Sequence, residues 1–332
     1  MPLRENHLST LQKHLQRKLA KKKSYIIYMR CSCGKEVYFT RIYEGTNLCK
    51  ICFVRSIEKK VKKAIRLNKM LERGDRVAVA LSGGKDSSAA LYILNQIVKQ
   101  RPDMEIFAIS IDEGIGPYRI KTIRKSAALC RKLGVKHHVY SFKKEFGSPL
   151  PKLLKLNPRL NACTYCGVLR RDLLNRKARN LGATKLAFGF NLNDEAESVL
   201  LNFMFGNIGK FTRLGPVLKT ENIKKFVPRL KPLREIPEEE LFAYCDAVKI
   251  PYYSRKICPV GKESVRKSIR KCLHEMEEKY PGTLFQIVKF ADVIIPPLRK
   301  HFENKGKVIY CSVCGEPASK ELCKACELLR KN

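Results

Sequence analysis

The run Val79, Ala80, Leu81, Ser82, Gly83, Gly84, Lys85, Asp86, Ser87, Ser88 closes a β-type stretch and opens a helical one. Two adjacent glycines let the backbone turn tightly, so that its N–H groups and the positive end of the helix converge on an anion. Lys85 adds a full charge and the hydroxyls of Ser82, Ser87 and Ser88 add donors, a nest suited to pyrophosphate. A Walker loop would need glycine where Val79 stands and Ser or Thr where Asp86 stands, so kinase-like γ-phosphate chemistry is disfavoured. At the end of the next strand Asp112 could serve magnesium, or simply act as a helix cap.

Fourteen cysteines are the other reactive feature, and they cluster in close pairs. That favours metal over a secreted disulfide scaffold, which belongs to short extracellular chains. Cys31, Cys33, Cys49 and Cys52, with Gly34, Gly45 and Asn47 as turn formers, read as one zinc ribbon, although CxC stands where CxxC is usual. Cys311, Cys314, Cys323 and Cys326, two CxxC pairs, read as a second. Cys163 and Cys166 form a third CxxC with no local partner pair. Their remote partner is taken as Cys258, because Cys130, Cys245 and Cys272 sit in apolar helical patterns that suit buried thiols. Three thiolates suit a [4Fe-4S] cluster with one iron open to an exogenous ligand. A structural zinc completed by His137, His138 or His274 and a redox dithiol carrying a persulfide are the alternatives.

The elements that must position these groups are legible in the pattern. Arg76–Leu81, Glu105–Ile111, Lys136–Ser141 and Lys185–Phe190 read as strands, with helices starting near Asp86, Tyr118, Thr164 and Asp194. Such alternation implies right-handed crossovers and a parallel sheet. After Pro216 the pattern is mostly helical and broken by prolines. Expected boundaries are a basic helical extension over 1–28, a ribbon over 29–54, a basic linker helix over 55–75, an α/β domain over 76–300 and a ribbon over 305–332. Met29, just ahead of the first ribbon, is a second candidate start.

Lys plus Arg number 67 against 31 acids, a formal net charge of +36. A compact chain with that excess calls for a polyanionic partner, and nucleic acid is favoured. No run approaches the roughly 18 apolar residues of a membrane span, and no apolar signal core opens the chain, so an intracellular protein without a membrane partner is expected.

SGGKDS between strand and helix resembles the PP-loop of the N-type ATP pyrophosphatases, which cleave ATP between its α and β phosphates and leave an adenylated substrate. With the central CxxC, the remote Cys258–Pro259 and a ribbon at each end, the chain resembles the tRNA 2-thiolation family over about residues 29–328. Phe188, Gly189, Phe190, Asn191, Leu192, Asn193, Asp194, Glu195, Ala196 match the family's TGHNLDDEA stretch, with Phe190 in place of its histidine and Asn193 in place of its first aspartate. Arg213, Lys231 and Cys258 also fit.

The resemblance implies an adenine-nucleotide α-hydrolase-like parallel sheet flanked by two zinc ribbons. It implies nucleotide contacts from Ala80 to Ser87 and at Ser110, Ile111, Gly189 and Asn191. It gives Asp194 a catalytic carboxylate's role, orienting the base or magnesium, Lys85 the pyrophosphate charge, and Arg170 the place of a basic catalytic residue. Arginine does not readily lose its proton, so Arg170 is assigned charge stabilisation. Expected cofactors are ATP, Mg²⁺, a [4Fe-4S] cluster on Cys163, Cys166 and Cys258, and two Zn²⁺. Expected partners are tRNA and a sulfur donor, either sulfide or a thiocarboxylated ubiquitin-like carrier, with a homodimer and a cytoplasmic setting. The uridine is at position 34 or 54; absent Trp and abundant Lys lean towards a heat-adapted 54. The rival readings are a cytidine 2-thiolase and a zinc-ribbon RNA-binding scaffold with a regulatory nucleotide site.

Overall fold

The computed structural model describes residues 30–156, 160–218, 225–254, 258, 260, 265–302 and 309–330. The basic extension expected over 1–28 lies outside them. The chain divides into two compact units, Met1–Phe53 and Val54–Asn332.

In the first unit, β1 (Phe39–Arg41) and β2 (Thr46–Leu48) form an antiparallel hairpin. Gly34, at φ 83°, closes a turn in which its N–H bonds the Cys31 carbonyl at 2.7 Å. Glycine tolerates that left-handed backbone, and the tight turn lets a CxC pair share one centre. Phe53 packs its ring on Phe39 at 4.7 Å.

Helix α1 (Lys50–Leu67) starts earlier and stops sooner than the linker helix expected over 55–75. It starts at Lys50, directly after Cys49, whose carbonyl accepts from the Phe53 N–H at 2.8 Å, and it carries Cys52 in its first turn. It stops where Lys69 turns to φ 44°. One face is not solvated: Ile57, Val61, Ala64 and Ile65 are buried at helical spacing.

The second unit is built on a six-stranded sheet: β3 (Arg76–Ala80), β4 (Glu105–Asp112), β5 (Lys136–Ser141), β6 (Lys185–Ala187), β7 (Val217–Leu218) and β8 (Arg229–Leu230). Its order is β5-β4-β3-β6-β8-β7, parallel except for β7 against β8. Val77, Ala78 and Val79 are fully buried, the mark of a central strand covered on both faces. Helix α2 (Lys85–Val98) follows β3, α3 (Pro117–Leu133) follows β4, and α4 (Ala162–Asn180) precedes β6. Helices α5 (Leu192–Met204), α6 (Glu238–Ala247), α7 (Val265–Lys279) and α8 (Thr283–Phe302) complete the unit. Two expectations change. The strand expected to reach Phe190 ends at Ala187, and the stretch after Pro216 holds the two short strands β7 and β8, which hydropathy did not reveal.

The chain steps from β3 to β4 on one side, whereas β6 leads to β8 on the other. The loops after β3 and β6 therefore part, and an open α/β sheet receives ligands in the crevice at that switch point. The loop after β3 is Leu81–Gly84 and the loop after β6 is Phe188–Asn191.

At the far end, β9 (Ile309–Tyr310) and β10 (Pro317–Ala318) pair, and α9 (Lys324–Leu329) comes after them. This ribbon is built into the core: Cys311, Cys323, Ala325 and Leu328 share one apolar cluster with Tyr165, Leu169 and Leu173 of α4. The Tyr165 hydroxyl donates to the Leu328 carbonyl at 2.6 Å, and Arg179 Nη1 donates to Glu316 Oε2 at 3.0 Å.

Candidate active site

Gly84 is the N-cap of α2 and offers no side-chain cap, which leaves the first N–H groups of the helix free for an anion. The Ser82 and Ser87 hydroxyls bond each other at 2.9 Å and Ser87 Oγ accepts from the Ser82 N–H at 3.1 Å, so the loop is held in a fixed shape. Lys85 is buried. Its Nζ donates to Asp86 Oδ2 at 2.9 Å and Glu238 Oε1 at 2.8 Å and lies 4.2 Å from the centre of the Phe242 ring. Burial opposes the Lys85 charge, but Asp86 and Glu238 outweigh it and hold the ammonium above its usual pKa.

Two further segments close on this loop. Tyr253 N–H donates to the Gly83 carbonyl at 2.9 Å, which brings the approach to Cys258 against the PP-loop. Gly189 lies so close that a Cβ there would come within 2.6 Å of Asp86 C and Ser87 N. Only glycine fits that approach. Next to it, Asn191 Nδ2 donates to Asp86 Oδ1 at 3.1 Å.

A cavity of about 210 Å³ results, and it brings Ser82, Gly84, Lys85 and Asp86 together with Cys166, Arg170 and Cys258. The two thiols come from segments far apart in sequence. Cys163 precedes Cys166 by one turn at the start of α4, where Asn161 Oδ1 accepts from its N–H at 2.8 Å. Burial pushes the Cys166 thiol up to about 11 against the opposing charge of Arg170. Such a thiol ionises readily only beside a cation or metal.

The donor set fits an iron-sulfur cluster better than one zinc. Among the described residues, the two groups of cysteines whose ligand atoms all lie within 4.8 Å of one another are the terminal quartets, Cys31, Cys33, Cys49, Cys52 and Cys311, Cys314, Cys323, Cys326. Cys166 and Cys258 line one cavity and Cys163 stands one turn before Cys166, a three-thiolate donor set of the kind that holds a [4Fe-4S] cluster. The expected histidines are engaged elsewhere: His137 Nε2 lies 2.8 Å from Ser110 Oγ, His138 packs on the Phe107 ring, and His274 stands beside Glu278. In the terminal quartets, Cys31 is drawn down to about 6 by the backbone N–H groups of Cys33 and Cys49. For Cys311 burial works the other way, yet backbone donors at Cys323, Cys314 and Val313 also bring it to about 6.

Other expected residues lie off the cavity. Ala80, Leu81, Ser110 and Ile111 sit at neighbouring strand ends. The Ser110 hydroxyl donates to the Leu81 carbonyl at 2.6 Å, so its side chain is committed to the fold. Asp112 Oδ1 accepts from the Gly114 N–H at 2.9 Å, a local bond that shapes the turn after β4. Asp194 closes the capping box of α5 with Asn191 and lies 3.7 Å from Arg270. Burial, with Asp86 adding repulsion, raises its carboxyl to about 6. Asn193 has a task of its own: its Oδ1 accepts from the Glu238 N–H at 2.9 Å and starts the helix that supplies the partner of Lys85. Of the three cysteines expected to be buried, Cys130 and Cys245 are. Cys272 is exposed, because its helix turns only Ile269 and Leu273 inward.

Sequence reasoning missed Glu113. It is buried on the cavity wall, with Arg119 Nε at 2.8 Å from Oε2 and Arg170 Nη1 at 3.4 Å from Oε1. Arg119 also donates to the Ile111 and Ser82 carbonyls at 2.6 and 2.7 Å, tying α3 to the loop. The only sequence signal was an acid directly after a strand-end aspartate.

Residues 54–275 match the family model of the PP-loop domain. Over 316 residues the chain is 34% identical to the tRNA 2-thiolation protein NcsA of Haloferax volcanii, covering 91% of this chain and 98% of that one. Over 311 residues it is 31% identical to cytoplasmic tRNA 2-thiolation protein 1 of Drosophila ananassae, covering 91% and 87%. Among solved structures, the U34-tRNA thiolase NcsA from Methanococcus maripaludis with its [4Fe-4S] cluster matches at a TM-score of 0.79 and 32% identity, over 91% of this chain and 96% of that one. A pyrophosphate-type loop at the switch point of a parallel sheet defines the class, the PP-loop proteins. The chain belongs to that family, in its tRNA 2-thiolation branch of sulfurtransferases.

Proposed function

We propose that the chain is a tRNA uridine 2-sulfurtransferase that activates the C2 oxygen with ATP and replaces it with sulfur. The observation that carries this reading is the single cavity lined by both the PP-loop and the thiols Cys166 and Cys258. The solved relative is a U34-tRNA thiolase, which favours uridine 34 over 54.

The C2 oxygen of uracil is a poor leaving group, and adenylation makes it a good one. The backbone N–H groups at Gly84 and beyond, with Lys85, hold the β and γ phosphates, and a bound Mg²⁺ would offset part of their charge. The N3 proton passes to solvent as the C2 oxygen attacks the α-phosphorus, the α–β P–O bond breaks and pyrophosphate departs. Arg170 offsets the developing negative charge, and Glu113 holds its guanidinium at the cavity wall. Hydrosulfide then adds at C2, the C2–O bond breaks, and AMP leaves with the oxygen. A [4Fe-4S] cluster held by Cys163, Cys166 and Cys258 would supply an iron with a free coordination position for sulfur. Asp194 orients the reacting groups through Asn191 and Asp86. The terminal quartets each hold a Zn²⁺, and a homodimer fits the family.

The sulfur source is sulfide or a thiocarboxylated carrier. The test is turnover under anaerobic conditions with tRNA, ATP and sulfide, read out by nucleoside mass spectrometry. AMP and pyrophosphate should form only with tRNA present, and 2-thiouridine should appear at position 34. No ATP-to-AMP turnover in the presence of tRNA would exclude the transferase and leave an RNA-binding scaffold. Thiocytidine would make it a cytidine thiolase.

A further inference from the structure

Beside the cavity lies a charged aromatic rim that the thiolation chemistry does not use. Because Gly189 is pressed against the PP-loop, its neighbours Phe188 and Phe190 are fixed at the switch point. Their rings stack with centres 5.5 Å apart at 14°, and Phe190 is 42% exposed. Arg229 lies over Phe188, 5.9 Å from its centre, and Lys231, already paired with Glu195 at 2.7 Å, lies 5.9 Å from the centre of Phe190. The Arg229 Nε is buried without a hydrogen-bond partner. Arg171, next to the cavity-lining Arg170 on α4, lays its Nη1 3.3 Å from where a Cβ on Gly167 would be, one residue after Cys166.

Most of the charges felt by these two arginines have their own sign: Arg171 for Arg229, then Arg170 and Arg266 for Arg171. Among the described residues no carboxylate pairs with either. Guanidiniums gathered without acids are satisfied by phosphate, and an exposed ring among cations offers a stacking surface to a base. The triphosphate of ATP already has its own nest at Gly84 and Lys85, so these extra cations call for a second polyanion.

We propose that the rim seats the RNA substrate next to the reacting base: a nucleobase stacks on the open face of Phe190, while Arg171 and Arg229 neutralise the phosphates that flank it. This rests on the reading of the chain as an RNA-modifying enzyme.

The full chain is titrated with an anticodon stem-loop RNA carrying 2-aminopurine beside the target uridine. Phe190→Ala should bind about tenfold more weakly, the scale of one lost base–aromatic stack, and should lose the fluorescence quenching. Phe190→Leu, which keeps apolar bulk without a ring, should behave the same way, and Phe190→Tyr should restore both readouts. Arg171→Ala should lower the salt slope of binding by about one. Wild-type affinity and quenching in both ring-less variants would overturn the rim. So would weaker ATP binding with RNA binding intact, since adenine would then be the occupant. If the wild-type chain binds no RNA, the functional reading fails and the rim with it; thiolation that persists with both ring-less variants neutral sinks the rim alone.

Discussion

The close contact at Gly189 and the perturbed carboxyl of Asp194 each lead to a measurement. A methyl group at Gly189 would meet the PP-loop backbone at 2.6 Å, and backbone cannot swing aside as a side chain can. Gly189→Ala should cost about 1–3 kcal/mol in denaturant titrations and raise the KM for ATP, since the strain falls on Asp86 and Ser87. Asp194 has its pKa raised from 3.8 to about 6. An acid whose folded pKa stands above its unfolded one stabilises the fold while protonated. That contribution is complete below 3.8 and is lost as pH rises through about 6. In magnesium-free protein, Asp194→Asn should therefore gain stability relative to wild type as pH rises across that window. A difference independent of pH would contradict this. The loop and the cysteines were legible because their chemistry is local. Glu113 and Glu238 were not: Glu238 meets Lys85 across 153 residues of chain, a pairing that only the tertiary fold creates.

The elements make the C-terminal ribbon a support for the helix that carries two of the central thiols. Tyr165 and Arg179 of α4 are both tied to it, and its cysteines share the α4 core. Tyr165→Phe should cost about 1 kcal/mol, one hydrogen bond, by thermal or chemical melting. Glu316→Ala, which leaves Arg179 with the Lys225 carbonyl as its remaining partner, should cost about 1–2 kcal/mol. If Cys311, Cys314, Cys323 and Cys326 hold zinc as proposed, removing it should loosen α4 and lower the proposed thiolation although these residues do not line the cavity, whereas a simple appended ribbon would leave turnover unchanged. The strands β3 to β6 and the helices after them were readable from period and punctuation. The strands β7 and β8 were not, because two-residue strands have no period and exist only by pairing beside β6.

Across the whole molecule, a formal charge of +36 favours a phosphate-rich partner, in keeping with the tRNA substrate proposed above. If six to ten phosphates are contacted, tRNA affinity should fall by about 10³-fold or more between roughly 50 and 200 mM salt, measured by filter binding or anisotropy. A flat salt response would mean that the charge serves another purpose. Charge and hydropathy indicated such a partner from sequence alone, but not its path across the surface, which depends on how distant basic residues are gathered.

The gathering of Cys163, Cys166 and Cys258 beside the PP-loop is most directly tested by iron, sulfide and zinc analysis of the anaerobically purified chain and of Cys258→Ala. Wild type should hold two zincs, one per terminal quartet, with iron and sulfide in the proportions of one [4Fe-4S] cluster. Cys258→Ala should keep the zinc and lose the iron. Three zincs without iron, or iron indifferent to the loss of Cys258, would contradict the account.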